Sequence, residues 1–172
     1  EEHGRCGGLG SSIAEWRADI VHAHDWHAAL ASAYLAVCEA EHAASVYTVH
    51  NLGYQGEFAA ERFAELALPE NLFAMHGMEF YGKLNFMKAG LHFSDRITTV
   101  SPSYAQEIKT PEFGCGMDGL LRSRSAALSG ILNGVDYKIW NPKIDARISA
   151  RYGRESPRGK IRCKASLRAE LG

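Results

Sequence analysis

The chain has 172 residues, of which 46% are hydrophobic and 23% are charged, as is typical of a globular protein with one core. With 19 Lys and Arg against 20 Asp and Glu, the formal net charge is -1, so no global field attracts nucleic acid or an acidic membrane. No apolar run approaches the roughly 20 residues that span a bilayer, and residues 1–12 lack the order of a secretory signal. We therefore expect a cytoplasmic protein that binds its partner in a pocket.

From residue 19 onward, short apolar runs alternate with amphipathic stretches. This alternation indicates strands joined by crossover helices, so the predicted class is α/β with a parallel sheet. The first predicted elements are a strand at 19–22, a helix at 25–41 and a strand at 45–49. Residues 50–84 form a long, Gly-containing stretch, which is predicted to be a binding loop or an inserted hairpin of helices, with helical turns near 63–66 and 72–75.

A packed helix carrying Phe86, Gly90 and Phe93 is predicted next, followed by a strand at 96–100. Ser101-Pro102 then starts a helix, because a hydroxyl N-cap precedes a proline in the first turn. Tyr104 and Ile108 are expected to face inward from that helix. A short helix at 120–124 and a strand at 128–132 complete the predicted sheet.

Beyond Pro142 the composition shifts toward Arg, Lys, Ser and Gly. The pattern predicts a solvated linker helix that Ser156 caps and that buries Ile161, Leu167 and Leu171 on one side. The predicted organisation is thus a domain at 1–142 and a linker helix at 143–172.

Polar residues follow four predicted strands, at His22 to His27, His50-Asn51, Ser101 and Asn133. In open parallel sheets, ligands bind beyond the carboxyl ends of the strands, so this convergence predicts a site there. Ser101 is the exception, because its role as a helix cap accounts for it.

The segment His22-Ala23-His24-Asp25-Trp26-His27 has three interpretations. As a zinc site it would use His22, His24 and His27, although the spacing departs from metal-dependent hydrolases of the β-lactamase type. As a structural segment it would make Asp25 an N-cap and bury His22 and Trp26. As a sugar site it would use the carboxylate of Asp25 for hydroxyl groups and the ring of Trp26 for a pyranose face.

The segment His50-Asn51-Leu52-Gly53-Tyr54-Gln55-Gly56 follows a strand directly. Its glycines allow a tight turn near a ligand. His50, Asn51 and Gln55 supply neutral donors and acceptors that suit sugar hydroxyls.

Several motifs occur together in one order: His24-Asp25-Trp26-His27, residues 48–56, Lys88-Ala89-Gly90-Leu91, residues 100–108, and Leu132-Asn133-Gly134-Val135-Asp136. In these motifs the chain resembles the bacterial glycogen synthase and plant starch synthase family. The resemblance is close over residues 20–142 and looser through Leu171.

This resemblance implies a Rossmann-like N-terminal domain, present in part, of a two-domain GT-B glycosyltransferase. It implies transfer of glucose from ADP-glucose to an α-1,4-glucan with retention of configuration, and no cofactor or metal. Carried over by residue, His50 would lie beside the donor glucose, and Asp25, Trp26, His27 and Asn51 around the sugars. Asn133 would lie near the interdomain cleft, and Tyr54 and Gln55 are further substrate-binding assignments.

The resemblance also implies that a Lys-Thr-Gly-Gly-Leu loop precedes residue 1 and that a second domain follows Gly172, so the segment alone is expected to be inactive. A zinc-dependent hydrolase and a non-catalytic glucan-binding module stay as alternatives. A retaining glycosidase would need two carboxyl groups about 5–5.5 Å apart, and besides Asp25 only Glu57 and Glu79 of the long stretch are candidates. The sequence leaves open glycogen or starch as product, ADP- or UDP-glucose as donor, a plastid location and the oligomeric state.

Overall fold

The computed structural model describes residues 17–38 and 42–172. These residues fall into two compact units, one ending at Leu132 and the other running from Asn133 to Gly172. The strands are β1 (Ile20–His24), β2 (Ala44–Val49), β3 (Glu57–Ala59), β4 (Glu79–Phe80), β5 (Lys83–Asn85), β6 (Arg96–Thr99) and β7 (Leu128–Gly130). The α-helices are α1 (Asp25–Ala28), α2 (Leu30–Ala36), α3 (Phe86–Phe93), α4 (Pro102–Glu107), α5 (Asp118–Ser123) and α6 (Arg158–Leu171).

The first unit is built on a parallel sheet with strand order β1-β2-β6-β7. Strand β2 lies inside this sheet, and its last three residues, Tyr47 to Val49, are buried. Helices cover parallel strands, so such strands carry near-continuous β-branched and aromatic runs, as β2 does. The α/β class with a parallel, Rossmann-like sheet is therefore confirmed.

The helix predicted at 25–41 is two shorter helices. Helix α1 ends at Ala28, and α2 follows from Leu30 to Ala36. Residues 39–41 of the predicted helix lie outside the described residues. Ala29 and Ala33 are fully buried, because both helices pack next to the sheet and α3.

The long stretch after β2 folds into a second sheet, which the sequence did not predict. This sheet is antiparallel with order β3-β5-β4, and 3₁₀ helices at Ala60–Leu66 and Glu70–Leu72 connect its strands. The predicted hairpin of helices is therefore wrong. The strands are only two or three residues long, too short for an alternating pattern to stand out in the sequence.

The start of the long stretch is tied to the first turn of α3. The backbone N–H of Phe86 donates to the carbonyl of Gly56, and that of Met87 donates to the carbonyl of Gln55. Asn85 caps the helix by accepting from the Lys88 N–H at 2.9 Å, and its amide donates to Gln55 Oε1 at 2.8 Å. The backbone N–H groups at the start of α3 thus find acceptors in the long stretch and in Asn85, and these bonds hold the stretch against the helix.

The predicted cap of α4 is confirmed, because Ser101 Oγ accepts from the Tyr104 N–H at 2.9 Å with Pro102 at the first position. Tyr104 packs against the core and Ile108 is fully buried, as predicted. Helix α5 begins and ends slightly before the predicted 120–124, and β7 ends two residues before the predicted 132.

In the second unit, the helix predicted beyond Pro142 is present as α6, but two expectations about it are wrong. Its N-cap is Pro157 without a side-chain hydrogen bond, not Ser156. Ile161, Leu167 and Leu171 are 71%, 55% and 78% exposed, so they do not form a buried side of the helix. None of the helices in the described ranges is long and apolar enough to cross a bilayer.

We expect Gly90→Ala to lower the free energy of unfolding by about 1–3 kcal/mol, because a Cβ there would overpack the core. That atom would lie 2.6 Å from Cζ of the fully buried Tyr47. The matched control is Gly119→Ala on α5, where the nearest atom lies 3.9 Å away. Better helix propensity should leave the control neutral or more stable by up to about 1 kcal/mol. Urea unfolding measures both, and equal effects would contradict the packing argument.

Asp95 ties the start of β6 to the start of β2, and it should make stability acid-sensitive. Its Oδ2 accepts from Ser45 N–H at 2.6 Å and from Ser45 Oγ at 2.8 Å, and these bonds hold the pKa of Asp95 below its ordinary 3.8. A lowered folded pKa stabilises the fold above pH 3.8, and this contribution is lost as the pH falls through the lowered value.

Asp95→Asn should therefore lower the free energy of unfolding at pH 7, by at most about 1 kcal/mol because solvent screens this exposed carboxylate. The difference should shrink below about pH 4. Denaturation curves across this pH range measure the effect, and Asp19→Asn at an exposed acid of the same sheet edge is the control. A difference that stays constant down to pH 2 would contradict the assignment.

Candidate active site at the carboxyl ends of the strands

The parallel register brings the polar ends of β1 and β2 together. His24 at the end of β1 pairs with Thr48, and β2 ends one residue later at Val49. Both strands therefore deliver their following residues to one edge of the sheet. Asp25 follows β1 and His50 follows β2, so the predicted convergence of these two residues is present.

A hydrogen bond joins these two strand ends. The backbone N–H of His50 donates to Asp25 Oδ1 at 2.8 Å. Asp25 has a φ of 51° in the left-handed region, which a short polar side chain tolerates better than others when it bonds nearby backbone. The interpretation of Asp25 as an N-cap is wrong: His24 occupies the N-cap position, and the carboxylate of Asp25 serves the neighbouring strand end instead.

Three imidazoles form a cluster beside this bond. His24 Nδ1 and His50 Nε2 are 3.0 Å apart, a hydrogen-bonding distance. The ring of His22 lies over that of His24 with centroids 4.2 Å apart, and His22 Nε2 lies 2.6 Å from Thr48 Oγ1. All three histidines are exposed, so the expectation of a buried His22 is wrong. We call His22, His24 and His50 the imidazole cluster.

The surroundings of His22 favour its neutral ring. Partial burial lowers the pKa of His22 below 6.5, and the neighbouring His24 and His50 lower it further, because a charged imidazole would face two others. At neutral pH the ring of His22 is therefore uncharged. A neutral ring offers one donor and one acceptor, which suits hydroxyl groups better than a phosphate.

A pocket of about 580 Å³ has Trp26, the residue after Asp25, in its wall, whereas Asp25 and His50 do not line it. The wall is formed by Trp26, Gly53, Tyr54, Gln55, Gly56, Glu57, Phe58 and Cys115. Tyr54 is 69% exposed, so its ring is available to a ligand. Trp26 is half-buried, and it packs on the hydrophobic core as one interpretation expected while also facing the pocket.

Because Gly56 has no side chain, the loop packs closely against Trp26. Its φ is 65°, and a Cβ at this position would lie 2.4 Å from Trp26 Cε3. Gln55 is buried, donates through Nε2 to the carbonyl of Cys115 at 3.0 Å, and accepts from Asn85 through Oε1. Both ends of its amide thus help to hold the pocket wall, of which Gln55 is itself a part.

The other predicted site residues lie in different surroundings. His27 is exposed and stacks on Trp26 with ring centroids 4.0 Å apart. Asn51 is exposed, and its Oδ1 accepts from the Gly53 N–H at 2.9 Å, which stabilises the turn after β2. Asn133 is an exposed residue at the start of the second unit.

The geometry gives no support to the zinc or glycosidase alternatives. The described part of the chain, residues 17–38 and 42–172, has no group of three His, Cys, Asp or Glu side chains placed to hold a metal ion. Glu57 Oε2 pairs with Lys83 Nζ at 2.8 Å, and Glu79 Oε1 accepts from the Gly82 N–H at 2.7 Å in a tight turn.

Sequence reasoning missed several residues of this region. The sequence pattern suggests no role for His24 other than a zinc ligand, yet His24 contacts His50. Phe58 and Cys115 line the pocket, but they lie 32 and 89 residues after Trp26, and no motif links them. The strand ends offered a signal for His24, since it ends β1 as His50 follows β2.

Comparisons with known proteins agree with this geometry. A family model described as the starch synthase catalytic domain matches residues 6–123. The glycogen synthase of Leptothrix cholodnii is 60% identical over 161 residues, which are 91% of this chain and 33% of that protein. The glycogen synthase of Edwardsiella ictaluri is 57% identical over 159 residues, with the same two shares.

A solved structure shares the fold. The catalytic domain of starch synthase IV from Arabidopsis thaliana, bound to ADP and acarbose, is 33% identical with a TM-score of 0.70. The match covers 94% of this chain and 34% of that chain. The chain thus spans about a third of the length of the proteins it matches. By the family model and the identity to these relatives, it belongs to the starch synthase catalytic domain family.

Proposed function

We propose that this chain is part of a retaining glucosyltransferase that extends an α-1,4-glucan, glycogen or starch, with glucose from ADP-glucose. The observation that carries the proposal is the hydrogen bond between Asp25 and His50 at the carboxyl ends of β1 and β2. Trp26, the residue after Asp25, lines a pocket. In an open parallel sheet this is the edge where ligands bind. The glycogen synthases among the relatives, and the ADP in the starch synthase IV structure, support the choice of reaction and donor.

The chemistry of the pocket supports a sugar ligand. The rings of Trp26 and Tyr54 offer flat apolar faces, and the carboxylate of Glu57 offers acceptors for hydroxyl groups. A volume of about 580 Å³ lies within the range of small-molecule sites. We assign this pocket to the glucan, and the imidazole cluster to the transferred glucose.

The proposed reaction needs no carboxylate nucleophile. The bond between the glucose and the diphosphate loosens to an oxocarbenium-like state. The 4-hydroxyl of the glucan attacks from the face that ADP leaves and gives its proton to the departing phosphate oxygen. Asp25 Oδ1 is held by the His50 N–H and Glu57 is paired with Lys83, which supports this route over a covalent glycosyl-enzyme. The leaving ADP develops negative charge, and preorganised cations must stabilise it. The neutral ring of His22 supplies none, so we assign that task to a second domain.

The remaining assignments are proposals of the same kind. Residues 1–142 would be part of the N-terminal catalytic domain, and 143–172 a linker helix to the second domain. Asn133 would then lie near the cleft between the domains. The partners would be ADP-glucose and the glucan, in the cytoplasm or, for a plant protein, the plastid.

His50→Ala should reduce kcat by about 100-fold or more in an enzyme of full family length that contains this segment. The imidazole would be lost from beside the transferred glucose, whereas the pocket wall at Trp26 and Tyr54 would be untouched, so glycogen affinity should stay within about twofold. Steady-state assays with ADP-glucose and a glycogen co-sedimentation assay measure the two quantities. Unchanged turnover would support a glucan-binding module instead of a catalytic site.

Tyr54→Ala should raise the KM for the glucan by about 3- to 10-fold, because it removes an aromatic face from the pocket. Tyr54 is 69% exposed, so the change should not affect folding. The control is Met75→Ala in the same long stretch, since Met75 is 71% exposed and does not line the pocket. Glucan saturation curves measure both variants. An equal KM for the two variants would show that the pocket is not part of the acceptor site.

A further inference from the structure

Two contacts hold His50, one to its backbone and one to its ring. Asp25 fixes the backbone N–H of His50, and His24 Nδ1 contacts His50 Nε2 at 3.0 Å. A hydrogen bond at this distance places one proton between the two nitrogens, so whichever ring donates, both nitrogens are engaged. The ring nitrogen of His50 that stays available to a ligand is therefore Nδ1.

A further series of side-chain contacts holds the ring of His24 in place. Its ring lies against His22, with centroids 4.2 Å apart. His22 Nε2 lies 2.6 Å from Thr48 Oγ1, and Thr48 Oγ1 lies 2.5 Å from Thr98 Oγ1. This series of contacts crosses the three neighbouring strands β1, β2 and β6. The sheet thus sets the position of the His24 ring through these side chains, because every second residue of a strand lies on the same face.

We propose that His24 is a positioning residue for the transferase: its hydrogen bond fixes the ring orientation of His50 and presents His50 Nδ1 to the transferred glucose. This inference rests on the proposed function, because it takes His50 as the residue beside that glucose. Positioning groups of this kind act on the rate of the chemical step more than on substrate binding, since a ring misplaced by about 1 Å costs up to about 100-fold in rate.

The test compares three variants in an enzyme of full family length. His24→Leu removes the hydrogen bond at similar bulk and should lower kcat by about 10- to 100-fold, with the KM for ADP-glucose within about twofold. His24→Asn places an amide near the position of Nδ1 and should recover most of the lost kcat. His42→Leu is the control, because His42 is an exposed histidine at the opposite end of the strands, where its Nδ1 contacts the Ala43 carbonyl.

The outcomes separate this inference from the proposed function. Full activity of His24→Leu, or equal loss in His24→Leu and His24→Asn, would overturn the positioning role even if His50→Ala is inactive. Full activity of His50→Ala would instead overturn the proposed function.

A measurement on the unaltered protein covers the case in which His24→Leu does not fold. Nitrogen NMR of the histidine-labelled enzyme should detect a coupling through the hydrogen bond between His24 Nδ1 and His50 Nε2. Absence of that coupling, with the rings titrating independently, would also overturn the inference.

Discussion

The site depends on one hydrogen bond, in which the His50 N–H donates to Asp25 Oδ1 at 2.8 Å. It closes the gap between two strand ends and places an imidazole and a carboxylate at the same point. The bond also explains why Asp25 adopts a φ of 51°, a conformation that costs about 1–2 kcal/mol without such support. Because Trp26 follows Asp25 directly, the same contact sets where the aromatic wall of the pocket begins.

The long stretch after β2 provides the other half of the site. Hydrogen bonds hold this stretch in the fold, so it is not a loose loop. Its carbonyls at Gln55 and Gly56 accept from the first N–H groups of α3, and its small antiparallel sheet leads directly into that helix. Gln55 further joins it to the backbone at Cys115. The pocket therefore lies on rigid elements, which favours a ligand bound in one fixed orientation.

The sequence predicted the parallel sheet well, because the apolar run of β2 and the Ser101-Pro102 helix start are strong local signals. It also placed Asp25 and His50 at one edge, since parallel strands share their carboxyl ends. It did not predict the short strands β3, β4 and β5, which three-dimensional pairing creates from weak local patterns. The sequence also did not predict the contact between His24 and His50, because that contact depends on strand register.

The most direct test of the account is a crystal structure of an enzyme of full family length, containing this segment, bound to ADP-glucose or an unreactive analogue together with an α-1,4-linked oligosaccharide. The account predicts a glucose hydroxyl within about 2.6–3.2 Å of His50 or Asp25, a hydrogen-bonding distance. It also predicts a sugar ring in the pocket against Trp26 and Tyr54. Both sugars bound away from these four residues would contradict it.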